Sequence, residues 1–282
     1  MRRRFVRFGL IVLSSLLLVV TVVALWYFHR PMLAATSRVL EPGIIYRRLV
    51  RTSPRPMIIH CVEVDLTQHH EFLMTPGRPT RKLPYDAQVT TEFLRRSGAT
   101  VAISGDFFRP WHSTSPLDFY PHVGDQVETY GLAADRGTIL CKGDPGRPSF
   151  FVSAEGVPSF DRPSVLFNAV SGDVLCVRRG MVRASYTDPY HTRPEPRAGI
   201  GLSRGRRTLY LVAIDGRQPN YSEGATVAEM ASIMKELGVE DGMNLDGGGT
   251  VTLCHTSGVL NCPIDNRIPN RERPIANHIG VR

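Results

Sequence analysis

The sequence predicts an α+β fold, a mixed, strand-rich single domain with few helices, set behind one N-terminal transmembrane helix. Three observations point there. Short runs with apolar residues at alternate positions recur along the chain, each bounded by Gly, Pro, Asp or Asn. Only one stretch in the second half, Val227 to Leu237, shows clear three- and four-residue apolar spacing. The chain also opens with an uncharged apolar run long enough to cross a bilayer.

That run, Phe8 to Phe28, follows Arg2, Arg3, Arg4 and Arg7 and is ended by His29, Arg30 and Pro31. A helix of about 20 residues crosses a hydrocarbon core of about 30 Å. The arginines favour the cytoplasmic side, and Trp26 and Tyr27 suit the far interface, so the domain is expected to be extracytoplasmic, periplasmic or extracellular. A cleaved signal peptide is the competing reading. The run exceeds a usual signal-peptide core and only Ala34-Ala35 offers a small-residue cleavage site, which favours an uncleaved single-pass anchor. Residues 1–30 are thus assigned to the basic tip and anchor, 31–56 to a stalk and 57–282 to the domain.

Within the domain, Met57 to Leu66 alternates Ile58, His60, Val62, Val64 and Leu66 and reads as an early strand. A helix from Asp86 to Ser97, capped by Asp86 and stopped by Gly98, leads to a buried strand over Ala99 to Ile103. The Pro-, Gly- and Asp-rich stretch from Pro110 to Gly146 reads as long loops covering a site. Strands are expected at Ser149–Val152, Val165–Ala169, Val174–Val182, Ala198–Leu202 and Thr208–Ile214. The clear helix follows, with Thr226 and Glu229 at capping-box spacing, which makes Glu229 structural, and Gly238 as its stop. Strands at Met243–Leu245, Val251–His255 and Ile275–Val281 complete the layout.

Composition sets further bounds. A chain of 282 residues, 42% hydrophobic, fits one catalytic-sized domain plus an appendage. At that size it buries about 70% of its unfolded surface, enough to need no disulfide or metal for stability. The formal net charge is +8, but four of the positive charges are the N-terminal arginines, so it does not argue for nucleic acid. Cys61, Cys141, Cys176, Cys254 and Cys262 make no Cys-x-x-Cys pair, and no His-Glu-x-x-His motif occurs. Cys61 and Cys176 read as buried thiols, whereas Cys254 and Cys262 are placed to close a short loop if the domain is exported. His112, His122 and His191 sit in Pro-rich loops with nothing local to orient them as bases.

The chemistry concentrates where a short strand runs into Asn244-Leu245-Asp246-Gly247-Gly248-Gly249-Thr250. Consecutive glycines permit positive φ and leave backbone N–H groups open to a sugar or phosphate, with Asp246 facing the opening. The same letters also fit a tight hairpin with an ordinary turn Asp. Upstream, Glu223 lies in a Gly-containing turn after the Thr208–Ile214 strand, and Asp215-Gly216-Arg217 closes that strand. Arg267, Arg271 and Arg273 cluster near the C-terminus with Asn266, Asn270 and Asn277, a set suited to an acidic substrate such as a phosphodiester, or to a solvated loop.

These segments resemble the phosphodiester glycosidase family. Leu211-Val212-Ala213-Ile214-Asp215-Gly216-Arg217, Ser222-Glu223-Gly224-Ala225-Thr226 and Asn244 to Thr250 are similar to the family's succession of strand, Gly-turn, helix and Asn-Leu-Asp-Gly-Gly-Gly-Ser. Ser104-Gly105-Asp106-Phe107-Phe108, Asn168 to Gly172, Arg197-Ala198-Gly199-Ile200-Gly201 and Arg273 to Val281 resemble further family segments in the same order. The chain departs at Ser104 (Asn in the family), Ala198-Gly199 (Thr-Ala) and Thr250 (Ser). Loss of the amide at Ser104 bears on substrate identity more than on chemistry.

The resemblance implies hydrolysis of a bond between sugar C1 and a phosphate oxygen, in which the phosphate monoester leaves readily as an anion. A cation on the phosphate then matters more than a strong acid. An oxocarbenium-like centre still needs a carboxylate beside it, as nucleophile or as base for water, and often a second as acid. Asp246 and Glu223 are the first candidates, then Asp106. Arg197 is the candidate phosphate clamp, Asn244 would orient a hydroxyl, Gly247 and Gly248 would lend N–H groups, and Asp215, Thr250 and Ser104 are candidate substrate contacts. A calcium or magnesium ion on these oxygens is compatible with the sequence without being demanded by it. A catalytically silent glycan-binding or exopolysaccharide-assembly factor and a metal-dependent phosphodiesterase remain as alternatives, and a carbohydrate or sugar phosphate is the expected ligand in each.

Overall fold

The computed structural model describes residues 2–115, 118–183 and 185–282. The side chains of Arg2, Arg3, Arg4, Arg7 and Trp26, which carry the topology reading, lie outside the described residues. A helix spans Arg2–Phe28, and its Phe8–Leu25 stretch is apolar and unburied, long enough to cross a membrane. The body is strand-rich with few helices, as the alternating runs require.

An eight-stranded antiparallel sheet forms the frame, in the order Thr36–Glu41, Ile44–Arg51, Met57–Asp65, Thr208–Ile214, Arg197–Ser203, Val239–Asn244, Val174–Arg178 and Met181–Val182. One face packs against two five-stranded sheets through Val62, Val64, Ile103, Phe150, Val170, Ile200, Leu211 and Ile279. The other face is covered by the Val227–Leu237 helix, whose Val227, Met230, Ile233 and Met234 meet Ile59, Val212 and Cys176. That helix starts in the expected capping box: the Thr226 side chain accepts from the Glu229 N–H while the Glu229 carboxylate accepts from the Thr226 N–H. Gly238 ends it at φ 102°.

Several expectations shift. Residues 31–56, read as a stalk, include the first hairpin of the main sheet, with Ile44 and Tyr46 buried in the core. Interleaved arginines hid this strand, because Arg47 and Arg48 occupy positions that a two-sided sheet would fill with apolar groups. The early helix covers only Thr90–Ser97, and Asp86 belongs instead to a two-residue strand paired with Gln126. The Val174–Val182 strand is a hairpin turned at Arg179-Gly180, both with positive φ. All five cysteines are free and buried: the Cys254 thiol faces the Ala102 carbonyl at 3.7 Å, and Cys262 faces Gln218 and Asn270.

The strand ends place the site. Val101–Ser104 belongs to a second sheet, with order Gly258–Val259, Leu253–His255, Val101–Ser104, His278–Val281 and Phe72–Met74. It runs out at Gly105 where Val239–Asn244 of the main sheet runs out at Leu245. Leu245 N–H still donates within the main sheet to Ala198 O (2.9 Å), and Asp246 N–H donates across the seam to Gly105 O (3.1 Å), which joins the two ends. Thr208–Ile214 pairs with Arg197–Ser203 in the register Ile214↔Arg197, so Asp215 and Arg197 start from the same edge.

Candidate active site

At that seam the structure has a cleft of about 700 Å³ lined by aromatics (Phe107, Phe108, Trp111, Phe119, Tyr130, Tyr190), by Asp246 and Glu195, and by Arg217, Arg267 and Arg273. Its floor is the Gly247-Gly248-Gly249 run, the last two residues of which open a short 3-10 turn. A side chain at these positions would collide with functional groups. A Cβ on Gly247 would sit 2.6 Å from the Tyr190 hydroxyl, one on Gly248 2.8 Å from Arg217 Nη2, and one on Gly249 2.5 Å from Arg273 Nη2. The glycines therefore let two guanidinium groups lie against the main chain beside Asp246.

Asp246 is partly open to the cleft and enclosed by protein on its other sides. This enclosure pushes its carboxyl up to about 7, and the charge of Asp173 adds to the rise, against the Arg273 guanidinium and the Gly247 N–H. Its Oδ1 accepts from that N–H at 2.8 Å. Arg273 is held by its Nε donating to Asp265 Oδ1 (2.7 Å), and its guanidinium lies 5.3 Å from the Trp111 ring. Arg217 donates from Nε to Glu195 Oε2 at 2.5 Å.

The structure separates the sequence candidates. Asp246, Gly247 and Gly248 line the cleft. Asp106 lies beneath it, 0% exposed, accepting from Phe107 N–H (2.8 Å) and Gly131 N–H (2.7 Å), with Arg147 Nη1 3.7 Å away. Burial raises its carboxyl to about 7 against these donors, and the charge of Asp246 contributes to the rise. Its carboxylate thereby holds the Phe107 wall and the Gly131 turn. Arg147, in turn, stacks over Phe107 and Tyr130.

Glu223 is exposed and does not line the cleft. Arg197 is 0% exposed, and its guanidinium donates to the carbonyls of Ala225 (2.9 Å), Tyr190 (2.5 Å) and Arg193 (2.8 Å). It lies 4.6 Å from the centre of the Tyr190 ring, bracing that wall from behind. Asn244 is buried and donates to Asp173 Oδ1 (2.7 Å), whose other oxygen faces His191 Nε2 at 2.7 Å. Thr250 donates to Gly247 O (2.9 Å), and Ser104 Oγ accepts from Thr252 N–H (3.3 Å); both are buried below the floor.

Asp215 is fully buried in a separate network. Its Oδ2 faces His60 Nε2 at 3.0 Å, Cys262 N–H donates to Oδ1 at 2.7 Å, and Tyr46 Oη lies 2.8 Å from His60 Nδ1. Burial alone would raise this carboxyl, but the His60 ring and these hydrogen bonds hold it below the usual carboxylate range. A depressed folded-state pKa contributes stability above the unfolded value that is lost as pH falls through the folded value. Asp215→Asn is therefore expected to cost about 3 kcal/mol at neutral pH. In urea unfolding at stepped pH, the gap to the parent protein should close below about pH 4.

Sequence reasoning missed Glu195, Arg217, Tyr190 and the aromatic wall. Gly216 and Gly224, which the sequence places in turns, let the Glu195-Pro196 segment pass close: a Cβ on either would approach its backbone to 2.5 or 2.6 Å. The available signal was an acid two residues ahead of the Arg197 strand and an arginine directly after Asp215-Gly216. Among the described residues no group of three or more His, Cys, Asp or Glu side chains is placed to hold a metal ion.

Comparison with known proteins agrees with this architecture. No curated protein matches the chain significantly. In fold it is similar to a hypothetical protein from Synechocystis, with a TM-score of 0.66 and 14% identity over 88% of this chain, and it spans 64% of that protein's length. It is similar to the zebrafish N-acetylglucosamine-1-phosphodiester alpha-N-acetylglucosaminidase catalytic domain, auto-inhibited by its pro-peptide, with a TM-score of 0.61, 18% identity and coverage of 90% of this chain and 85% of that one. A third likeness is to a Burkholderia pseudomallei K96243 protein provisionally named as exported, with a TM-score of 0.57, 13% identity and coverage of 82% and 75%. The phosphodiester glycosidase family model matches residues 97–282, from the end of the Thr90–Ser97 helix onward, and so takes in every residue lining the cleft. The chain belongs to the phosphodiester glycosidase family.

Proposed function

We propose that this protein is a membrane-anchored, extracytoplasmic glycosidase that hydrolyses a sugar-1-phosphate diester or a related cell-envelope glycan. One observation carries the reading: a carboxyl poised near neutrality, Asp246, stands on a glycine floor against which Arg217 and Arg273 lie. The aromatic walls suit the apolar faces of a sugar ring, and the arginines suit a phosphodiester, for which a planar guanidinium offers paired donors. The apolar Arg2–Phe28 helix supports the anchor.

In this mechanism the sugar lies across the aromatic wall with C1 above Asp246 and the phosphate among Arg217, Arg267 and Arg273. The C1–O bond breaks and its electrons leave with the phosphate oxygen, whose charge the guanidinium groups neutralise without prior protonation. The Asp246 carboxylate stabilises the developing positive charge at C1, as nucleophile or as base for the incoming water. The products are the reducing sugar and a phosphate monoester, and the water proton passes through Asp246 to solvent. No step requires Arg197, Glu223 or a metal ion.

Release of free sugar from a panel of glycosyl phosphodiesters by the purified full chain supports this reading, and a folded protein that releases none contradicts it. The pH profile sharpens the test. If Asp246 acts ionised, kcat/KM climbs about tenfold per pH unit on the acid side and levels above about pH 7, because kcat/KM reports the free enzyme's groups. A profile that falls above pH 7 instead assigns Asp246 the role of proton donor and rejects the carboxylate mechanism.

A further inference from the structure

The apolar helix contacts a residue that lines the cleft. Tyr27, two residues beyond the apolar Phe8–Leu25 stretch, donates from Oη to the carbonyl of Arg217 at 2.7 Å, and Arg217 lines the cleft. Just past the helix end, the Arg30 guanidinium lies 3.9 Å from the centre of the Tyr221 ring, hydrogen-bonds Gln218 and reaches Cys262 Sγ at 3.0 Å. Met32 then packs on Ile58, Tyr221 and Cys262. At 1.5 Å per residue, the step from Leu25 to Tyr27 is about 3 Å along the helix, so the backbone of a cleft arginine meets the helix within about one turn of the end of its apolar stretch.

The neighbouring rim has the composition of a membrane interface. The hairpin joining Ile264–Asp265 to Ile268–Pro269 follows directly from Cys262, and Cys262 Sγ lies 3.2 Å from Asn270 Oδ1, which ties the hairpin to the helix end. Its tip exposes Ile268 (49%) beside exposed Arg267, with exposed Arg271 following, and across the cleft mouth Trp111 is 50% exposed. Exposed aliphatic and indole groups among arginines are what headgroup regions accept, since the apolar parts enter the acyl boundary while the cations meet lipid phosphates. A cleft serving a freely diffusing glycan needs neither the helix contact nor this rim.

We propose that the cleft opens onto the bilayer surface and takes a lipid-linked glycosyl phosphodiester, its lipid remaining in the membrane while sugar and phosphate enter. This rests on the glycosidase reading and names its substrate class. The phosphate of such a lipid lies at headgroup depth, level with Arg217, Arg267 and the end of the helix. Water adds to C1, the C1–O bond breaks, the sugar departs to the aqueous side and the phosphate monoester stays on the lipid.

The test uses the full chain in phosphatidylcholine vesicles with two substrates of one sugar: its phosphodiester with a long isoprenoid alcohol in the same vesicles, and its water-soluble methyl phosphodiester. Ile268→Asp puts a charge on the exposed hairpin at a residue that is not itself among those lining the cleft. It is expected to lower turnover of the isoprenoid substrate about tenfold and to leave that of the methyl diester unchanged, which also shows the variant is folded. Hydrolysis of the methyl diester with none of the isoprenoid diester, or an isoprenoid rate indifferent to Ile268→Asp, overturns the membrane-facing cleft while keeping the glycosidase. Hydrolysis of neither substrate by the parent protein removes both.

Discussion

Asp246→Asn is expected to lower kcat/KM by on the order of 10³-fold or more while making the protein more stable at alkaline pH. The two effects share one cause. The cleft holds the carboxyl against its own ionisation, near 7 instead of the ordinary carboxylate range, so the folded state binds this proton more tightly than the unfolded chain does. The contribution of a raised pKa is fully present below the unfolded value and is lost as pH rises through the folded one. The parent protein therefore carries an ionised, enclosed carboxylate at pH 8 that the amide variant does not. The rise to about 7 corresponds to about 4 kcal/mol, and water at the cleft mouth reduces that to on the order of 2 kcal/mol. Asparagine keeps the oxygen that accepts from Gly247 N–H, so the floor survives. Denaturation at pH 8 should show Asp246→Asn more stable than the parent, with the margin gone by about pH 4. A variant that is inactive but less stable at pH 8 would point to a structural acid.

The second large effect belongs to the arginine that lies on the glycine floor. Arg273→Ala should reduce kcat/KM by about 10²- to 10³-fold, the usual loss when one preorganised donor to developing charge is removed. Lysine should not restore it, because a point charge lacks the planar fork. This substitution also leaves buried Asp265 with one ion-pair partner among the described residues, Arg271 at 3.3 Å, beside the Asn266 amide that donates to it at 3.2 Å, so part of any loss is structural. Gly249→Ala separates the two contributions. Its methyl group would sit 2.5 Å from Arg273 Nη2, 2.7 Å from Cζ and 3.2 Å from Nε, all on a flexible side chain, and so shifts the guanidinium off the floor while a positive charge remains available to Asp265. Gly249→Ala is expected to retain the thermal midpoint within a few degrees and still lose most activity. Combining it with Arg273→Ala should add little, because both act on one group. Additive losses would show that the two positions act independently.

What the sequence revealed follows the range of its signals. The capping box at Thr226 and Glu229, the Gly238 stop and the alternation through Met57–Asp65 are local, and each reappears where the spacing puts it. Asp246 was legible because the acid and the glycines that expose it are contiguous. Partners from other strands were not. Arg197 and Arg217 are both arginines beside Gly- or Pro-containing turns, and only the register of Ile214 with Arg197 decides that one points beneath Tyr190 and the other into the cleft. Glu195 holds the place expected of Glu223 for a similar reason, since Glu195 pairs as an isolated bridge with Ala225 and lines the cleft while Glu223 does not. The aromatic wall draws Phe107, Trp111, Tyr130 and Tyr190 from separate loops, and no spacing in the chain announces it. The N-terminal hairpin escaped because arginines interrupt its apolar alternation.

Two carboxyls raised to the same range have different surroundings. Asp106 holds the Phe107 and Gly131 backbones, whereas Asp246 alone of the pair opens to the cleft. A claim of glycosidic chemistry at Asp246 commits to which bond opens. Hydrolysis in oxygen-18 water, with both products weighed by mass spectrometry, tests it most directly. Attack at C1 beside Asp246 places the label in the released sugar and leaves the phosphate unlabelled. Label in the phosphate means that the P–O bond was cut, and it contradicts the account.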